Sequence, residues 1–109
     1  MANKVITKNG DIITGTADAD LITSNGYYDS VVVNAGAGDD TIGAVKYSGR
    51  ISGAHVQING QEGNDLIYSE SNYATINGGS GNDSIYSSGY MSTIIAGTGD
   101  DFVSLNGSQ

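Results

Sequence analysis

Aliphatic residues recur two apart in short stretches of the chain: Val31 and Val33, Val56 and Ile58, Ala74 and Ile76, with Ile94 following Ser92 in the same way. Period-two alternation puts successive apolar side chains on one face of a strand, and nowhere do apolar residues follow the i, i+3, i+4, i+7 spacing of a helix over even two turns. The pattern predicts strands and no helix. Between these stretches stands a second set of aliphatic positions, Ile22, Ile42, Ile67, Ile85 and Val103, each two residues after an aspartate.

The alternation of the two sets marks an internal repeat. The aspartates Asp20, Asp40, Asp65, Asp83 and Asp101 are spaced by 20, 25, 18 and 18 residues. Each closes a short phrase: Gly15-Thr16-Ala17-Asp18-Ala19-Asp20, Ala35-Gly36-Ala37-Gly38-Asp39-Asp40, Gly60-Gln61-Glu62-Gly63-Asn64-Asp65, Gly78-Gly79-Ser80-Gly81-Asn82-Asp83 and Ala96-Gly97-Thr98-Gly99-Asp100-Asp101. A unit this short cannot close a core of its own, so coils must stack, with strands pairing in parallel about 4.8 Å apart. The predicted fold is all-β: a parallel β-solenoid (β-roll or β-helix) of about five coils, roughly 18 residues per coil. It forms one domain over residues 1–109, with motif repeats over 15–104. Its interior is expected to hold Ile22, Val33, Ile42, Ile58, Ile67, Ile76, Ile85, Ile94 and Val103 in two facing ladders. The longer spacings predict insertions at the turn opposite the phrase, two residues near Asn25 to Tyr28 and seven within 43–55. Backbone added in a turn stays in water and is tolerated there.

Composition narrows the function. The chain has 109 residues, 17 of them Gly, with no Pro, Cys or Trp, and its 12 acidic against 4 basic residues give a net charge of -8. An acidic surface repels nucleic acid and anionic lipid and attracts cations or basic partners, so no nucleic-acid partner is expected. Without cysteine there is neither a disulfide framework nor thiol chemistry. No run of apolar residues is long enough to span a membrane, and the first ten residues lack the apolar core of a signal peptide, so an export signal would lie elsewhere or be of a C-terminal kind.

The phrases point to a hard cation. Glycines at their first, second and fourth positions permit positive φ and close backbone approach, which lets carbonyls turn toward a common point beside the aspartate. All-oxygen ligation by carbonyls and carboxylates suits calcium, and the absence of Cys with a single His removes the usual zinc sets. Stacked coils would also place the aspartates in a column. Each like-charged pair would cost roughly 1 kcal/mol if hydrated and about 3 to 4 if half-buried. A divalent ion between each pair reverses that sign, so folding and calcium binding are expected to be coupled across the gaps Asp20/Asp40, Asp40/Asp65, Asp65/Asp83 and Asp83/Asp101.

These residues resemble the nonapeptide of RTX (haemolysin-type) calcium-binding proteins, G-G-x-G-x-D-x-U-x with U aliphatic. Residues 78–86 match at every specified position, and 35–43 and 96–104 match with Ala in place of the first Gly. The copy from Gly60 has Gln61 for the second Gly, and the copy from Gly15 lacks both later glycines. The resemblance implies a β-roll with calcium between consecutive turns. The implied carboxylate ligands are Asp20, Asp40, Asp65, Asp83 and Asp101. The turns would be shaped by Gly36, Gly38, Gly60, Gly63, Gly79, Gly81, Gly97 and Gly99. Family members usually carry the phrase on both half-turns; here it stands on one, so a single rail of ions is expected, as in the one-sided RTX solenoids of some bacterial adhesins.

Other features carry less. Tyr68 and Tyr86 share a repeat position and should stack outward, while Tyr27, Tyr28, Tyr47, Tyr73 and Tyr90 fall at the unmotified turns, an edge that could meet a glycan or protein partner. Asp39, Asn64, Asn82 and Asp100 have the opposite parity to the ligands and should face solvent. Lys46, Arg50 and His55 share the long insertion, read as a solvated loop. No serine has a histidine placed to activate it, so no enzyme is predicted. The leading expectation is a calcium-binding module of a secreted or surface protein that folds on meeting calcium and acts as a rigid spacer or adhesin segment. A fibre subunit stacking end to end is the alternative, since neither terminus shows an evident cap. An ice-binding face is disfavoured because the third motif position is irregular: Ala17, Ala37, Glu62, Ser80 and Thr98.

Overall fold

The structure is a computed structural model that describes residues 3–24, 26–43 and 51–106. Among them every regular element is a strand, and every strand pair is parallel. One sheet runs β1 (Asn3–Ile6), β3 (Leu21–Ser24), β5 (Thr41–Ile42), β8 (Leu66–Asn72), β10 (Ser84–Ser88), β12 (Phe102–Asn106), with β6 (Ile51–Ala54) also paired to β8. The facing sheet runs β2 (Ile12–Thr14), β4 (Val32–Asn34), β7 (Gln57–Asn59), β9 (Thr75–Asn77), β11 (Thr93–Ile95). The chain alternates between the sheets, coil upon coil. This is the β-solenoid that the repeat predicts.

Register makes each repeat position a column. Ile22 pairs with Ile42, Ile42 with Ile67, Ile67 with Ile85 and Ile85 with Val103. In the facing sheet Val33 pairs with Ile58, Ile58 with Ile76 and Ile76 with Ile94. The predicted interior residues from Ile22 to Ile85 are fully buried. At the last coil the ladders come to the surface: Ile94 is only partly buried and Val103 is 38% exposed, because no further described coil covers them. Toward the turn opposite the glycine phrases the interior turns polar. Ser69, Ser71 and Ser87 are buried there, and the Ser71 hydroxyl donates to the Ile51 carbonyl at 2.8 Å.

Strand register brackets both insertions within the expected stretches. β8 pairs with β5 at an offset set by Ile42 opposite Ile67, then with β6 at the offset set by Ile51 opposite Ser69. The change in offset places the seven extra residues at 44–50, which lie outside the described residues together with Lys46, Tyr47 and Arg50. On either side of it, β6 resumes pairing with β8 where β5 leaves off. The two-residue insertion falls between Ser24 and Tyr27, and Asn25 is also outside the described residues.

His55 accordingly belongs to the regular turn and not to the inserted loop. Gly10, Ser30, His55, Tyr73 and Met91 stand at one repeat position and all have φ between 53° and 73°. This left-handed conformation costs a non-glycine residue roughly 1–2 kcal/mol. The column also stacks side chains: His55 lies on Tyr73 with ring centroids 5.3 Å apart, and Tyr73 meets the edge of Tyr90 at 5.8 Å. On the outer face Tyr68 and Tyr86 stack as expected, with centroids 4.9 Å apart and planes within 8°.

Truncating Ile67 to alanine at the centre of the stack is expected to lower the unfolding free energy by about 2–5 kcal/mol, with Val103→Ala costing roughly half of that or less. Denaturant unfolding with calcium present compares the two, and equal losses would contradict a stack whose last coil is open.

Candidate metal-binding edge

Every glycine phrase lies on one edge of the solenoid, between a strand of the second sheet and the next strand of the first. The phrases stack directly. Gly36, Gly38, Gly63, Gly79, Gly81, Gly97 and Gly99 all have positive φ between 88° and 110°. A side chain on Gly63 would run into the carbonyl of Gly38 in the coil before it, and one on Gly81 into that of Gly63. The close approach is why these turns need glycine, beyond the dihedral angle itself.

Two positions depart from the expected roles. Gly60 does not adopt positive φ; it is needed because a Cβ there would lie 2.6 Å from Oδ2 of Asp65. Gly78 stands in the same relation to Asp83, at 2.8 Å, and was not singled out from the sequence. Gln61 replaces the second glycine yet holds φ at 71°. Its side-chain oxygen accepts the Gly36 N–H at 2.7 Å, so the substitution caps the coil before it.

The aspartates form a buried column. Asp20, Asp40, Asp65 and Asp83 are each 3% exposed or less, and Asp101 at the open end is half-buried. One carboxylate oxygen of each binds the backbone of the coil before it. The Asp20 N–H donates to Oδ1 of Asp40 at 2.8 Å, Asp40 N–H to Asp65 at 2.9 Å, Asp65 N–H to Asp83 at 2.9 Å and Asp83 N–H to Asp101 at 2.8 Å. The second oxygens of Asp40, Asp65 and Asp83 are buried without a hydrogen-bond partner. Asp20 differs: its oxygens accept the Thr16 N–H at 2.6 Å and the Thr16 hydroxyl at 2.8 Å, within its own turn. In the first phrase Thr16 thus replaces the missing glycine with two bonds to the carboxylate.

Burial dominates the electrostatics. It is the largest cause pushing Asp65 up to about 8 and Asp40 up to about 6, from an ordinary 3.8, and it raises Asp83 as well. The N–H of the preceding aspartate pulls each back, and neighbouring carboxylates add a further upward push. The column is costly chiefly because its carboxylates are dry, with like-charge repulsion behind that.

Asp39, Asn64, Asn82 and Asp100 are exposed, as their parity requires, but they are not idle. Asn64 N–H donates to Asp39, Asn82 N–H to Asn64 and Asp100 N–H to Asn82, each at 2.8 Å. This outer ladder binds each coil to the one after it; the aspartate column binds each coil to the one before. Sequence reading missed both, although an amide or carboxylate at a fixed repeat position beside free backbone donors is the available signal.

The donor set fits a hard divalent cation. An unpartnered buried carboxylate oxygen is an unmet demand for positive charge, and the surrounding donors are carbonyl and carboxylate oxygens. Among the described residues no three acidic or histidine side chains converge on one point. Carboxylates alone therefore cannot supply the six to eight oxygens calcium takes, and backbone carbonyls or water must supply the rest.

The profile of the RTX calcium-binding nonapeptide repeat matches four copies in the chain, over residues 23–44, 55–72 and 75–89, together just over half of its length. The phrase from Ala96, stacked in register on the others, lies beyond the matched segments. No curated protein and no solved structure matches the chain. With its glycine turns in register, its aspartates in a column and its strands wound into a parallel solenoid, the chain belongs to the RTX calcium-binding nonapeptide-repeat family.

Proposed function

We propose that this repeat module takes up calcium along its aspartate edge and that the ions complete its folding outside the cell. The buried, unpartnered second oxygens of Asp40, Asp65 and Asp83 carry this reading. The ligands proposed are the aspartates of neighbouring coils, Asp20, Asp40, Asp65, Asp83 and Asp101. Gly36, Gly38, Gly60, Gly63, Gly79, Gly81, Gly97 and Gly99 bring the backbone close enough to share the site. Calcium supplies positive charge where folding would otherwise strand dry carboxylates, so its binding energy becomes folding energy. Such a module is unfavourable inside a cell, where free calcium is scarce, and rigid in a secreted or surface protein. There a stack of coils serves as a spacer or adhesin segment. The family's general association with secretion supports that placement.

Circular dichroism tests the coupling: the β-structure is expected to melt at a much higher temperature in calcium than in excess chelator, and identical melts in both would remove the proposal. Asp65→Asn keeps an oxygen to accept the Asp40 N–H while deleting the charge, so it should raise stability in chelator and weaken the response to calcium. Asp65→Ala also leaves that N–H without its acceptor, which adds a cost of roughly 1–3 kcal/mol.

Stability in chelator should depend on pH with a definite sign. A carboxyl whose pKa is higher folded than unfolded contributes most below its unfolded value. That contribution is lost as pH rises through the folded values, here about 6 for Asp40 and about 8 for Asp65. Thermal melts in chelator should therefore show a higher Tm in mild acid than above pH 8. With calcium present the trend should flatten or reverse, because the ion must displace those protons. A chelator Tm that rises with pH across this window would contradict the buried column.

A further inference from the structure

Three asparagines stand in one column of the second sheet: Asn34 pairs with Asn59, and Asn59 with Asn77. Their neighbours along the chain differ. Asn34 precedes Ala35, whereas Asn59 precedes Gly60 and Asn77 precedes Gly78. At those two glycines the aspartate column leaves no room for a side chain, since a Cβ would lie 2.6 Å from Oδ2 of Asp65 and 2.8 Å from Oδ2 of Asp83. Asparagine is a chemically labile residue, and glycine after it removes the Cβ that would shield the next backbone nitrogen.

The reaction open to such a pair needs only base and water. The glycine backbone nitrogen gives up its proton and attacks the asparagine side-chain carbonyl carbon. A new C–N bond closes a five-membered succinimide, the bond to the amide nitrogen breaks, and ammonia leaves. Water then opens the ring at either carbonyl, giving aspartate or the isomer whose backbone runs through the side-chain carboxyl.

The fold holds both nucleophiles. The buried Gly60 N–H donates to the Asn77 carbonyl and the buried Gly78 N–H to the Ile95 carbonyl, each at 2.8 Å. The electrophile at position 59 is held too, its Nδ2 donating to Oδ1 of Asn34 at 2.8 Å. We propose that Asn59-Gly60 and Asn77-Gly78 are sites of spontaneous deamidation that the stacked coils protect and the unfolded chain exposes. Time spent unfolded then becomes permanent damage. Aspartate at 59 sets a carboxylate against Oδ1 of Asn34, and the isomerised product adds a backbone atom to a strand whose register aligns the whole coil. Isomerisation at Asn77 also displaces the carbonyl that ties down Gly60, so one lesion prepares the next. The protection belongs to the fold itself; only its dependence on calcium rests on the function proposed above.

The test holds the 109-residue chain at mildly alkaline pH in calcium, in chelator and in urea. Peptide mapping by mass spectrometry reads conversion at each asparagine and resolves these two sites from the Asn-Gly pairs at 9–10, 25–26 and 106–107. In urea Asn59 and Asn77 should convert roughly tenfold faster than Asn34 or more, and in calcium roughly tenfold more slowly than in urea or less. Between the melting temperatures in chelator and in calcium, the chelator rate should approach that in urea. A native chain that converts at the urea rate, or an Asn34 that keeps pace in urea, would overturn the proposal. Coincident melts in calcium and chelator would sink the calcium reading alone, because the native chain and the urea-unfolded chain still decide this one. After ageing in chelator, a return to calcium should restore β-structure only in the unconverted fraction. Asn59→Gln combined with Asn77→Gln, whose longer side chains cyclise far more slowly, should recover nearly in full; equal losses in both chains would overturn the role given to these two sites.

Discussion

Everything in this molecule depends on parallel stacking in register. When a chain returns to the same place one strand spacing further along, each residue lies over its counterpart in the previous coil, and its chemistry is multiplied. Isoleucine over isoleucine gives an unbroken dry ladder. Asparagine over aspartate gives a chain of backbone caps, and tyrosine over tyrosine a stacked pair. Aspartate over aspartate gives a column of carboxylates that water cannot reach.

That last column contains both stabilising and destabilising parts. One oxygen of each carboxylate from Asp40 to Asp101 accepts a backbone N–H from the coil before, a bond that helps align the turns whether or not a cation is present. The other oxygen, in the three central residues, has no partner. Burial makes the charged form expensive, and the local choices are a proton or a cation. An RTX repeat therefore resembles a fold left incomplete by design at one edge, with the glycines holding the backbone near enough for a hard ion to supply what is missing. The first phrase shows the alternative: Thr16 satisfies Asp20 within its own turn, and the glycines needed for close approach are absent.

Stacking also creates ends, and the same columns expose the interior there. Among the described coils the last leaves Val103 38% exposed, whereas Ile85 beneath it is buried. The opposite edge from the aspartates has a column of its own, with Ser30, His55, Tyr73 and Met91 held in a conformation that glycine adopts more cheaply. His55 and Tyr73 recover part of that cost by stacking on each other.

The sequence by itself determined the architecture: period-two aliphatics, a recurring glycine–aspartate phrase and a dominant spacing of 18 leave stacked parallel coils as the way to bury Ile22 through Ile85. It also determined which aspartates share a column and that Tyr68 meets Tyr86, because both follow from counting residues. Only the tertiary structure decided where each carboxylate oxygen goes, since the bond from Asp40 to the Asp20 N–H depends on turn geometry and not on spacing. It likewise decided that pairing with β8 passes from β5 to β6 on either side of the insertion after Gly43, which no local pattern reports. And it separated the glycines that need a left-handed backbone, such as Gly63, from Gly60, which is required by the carboxylate packed against it. Repetition is legible in one dimension; what a side chain touches in the coil above or below is not.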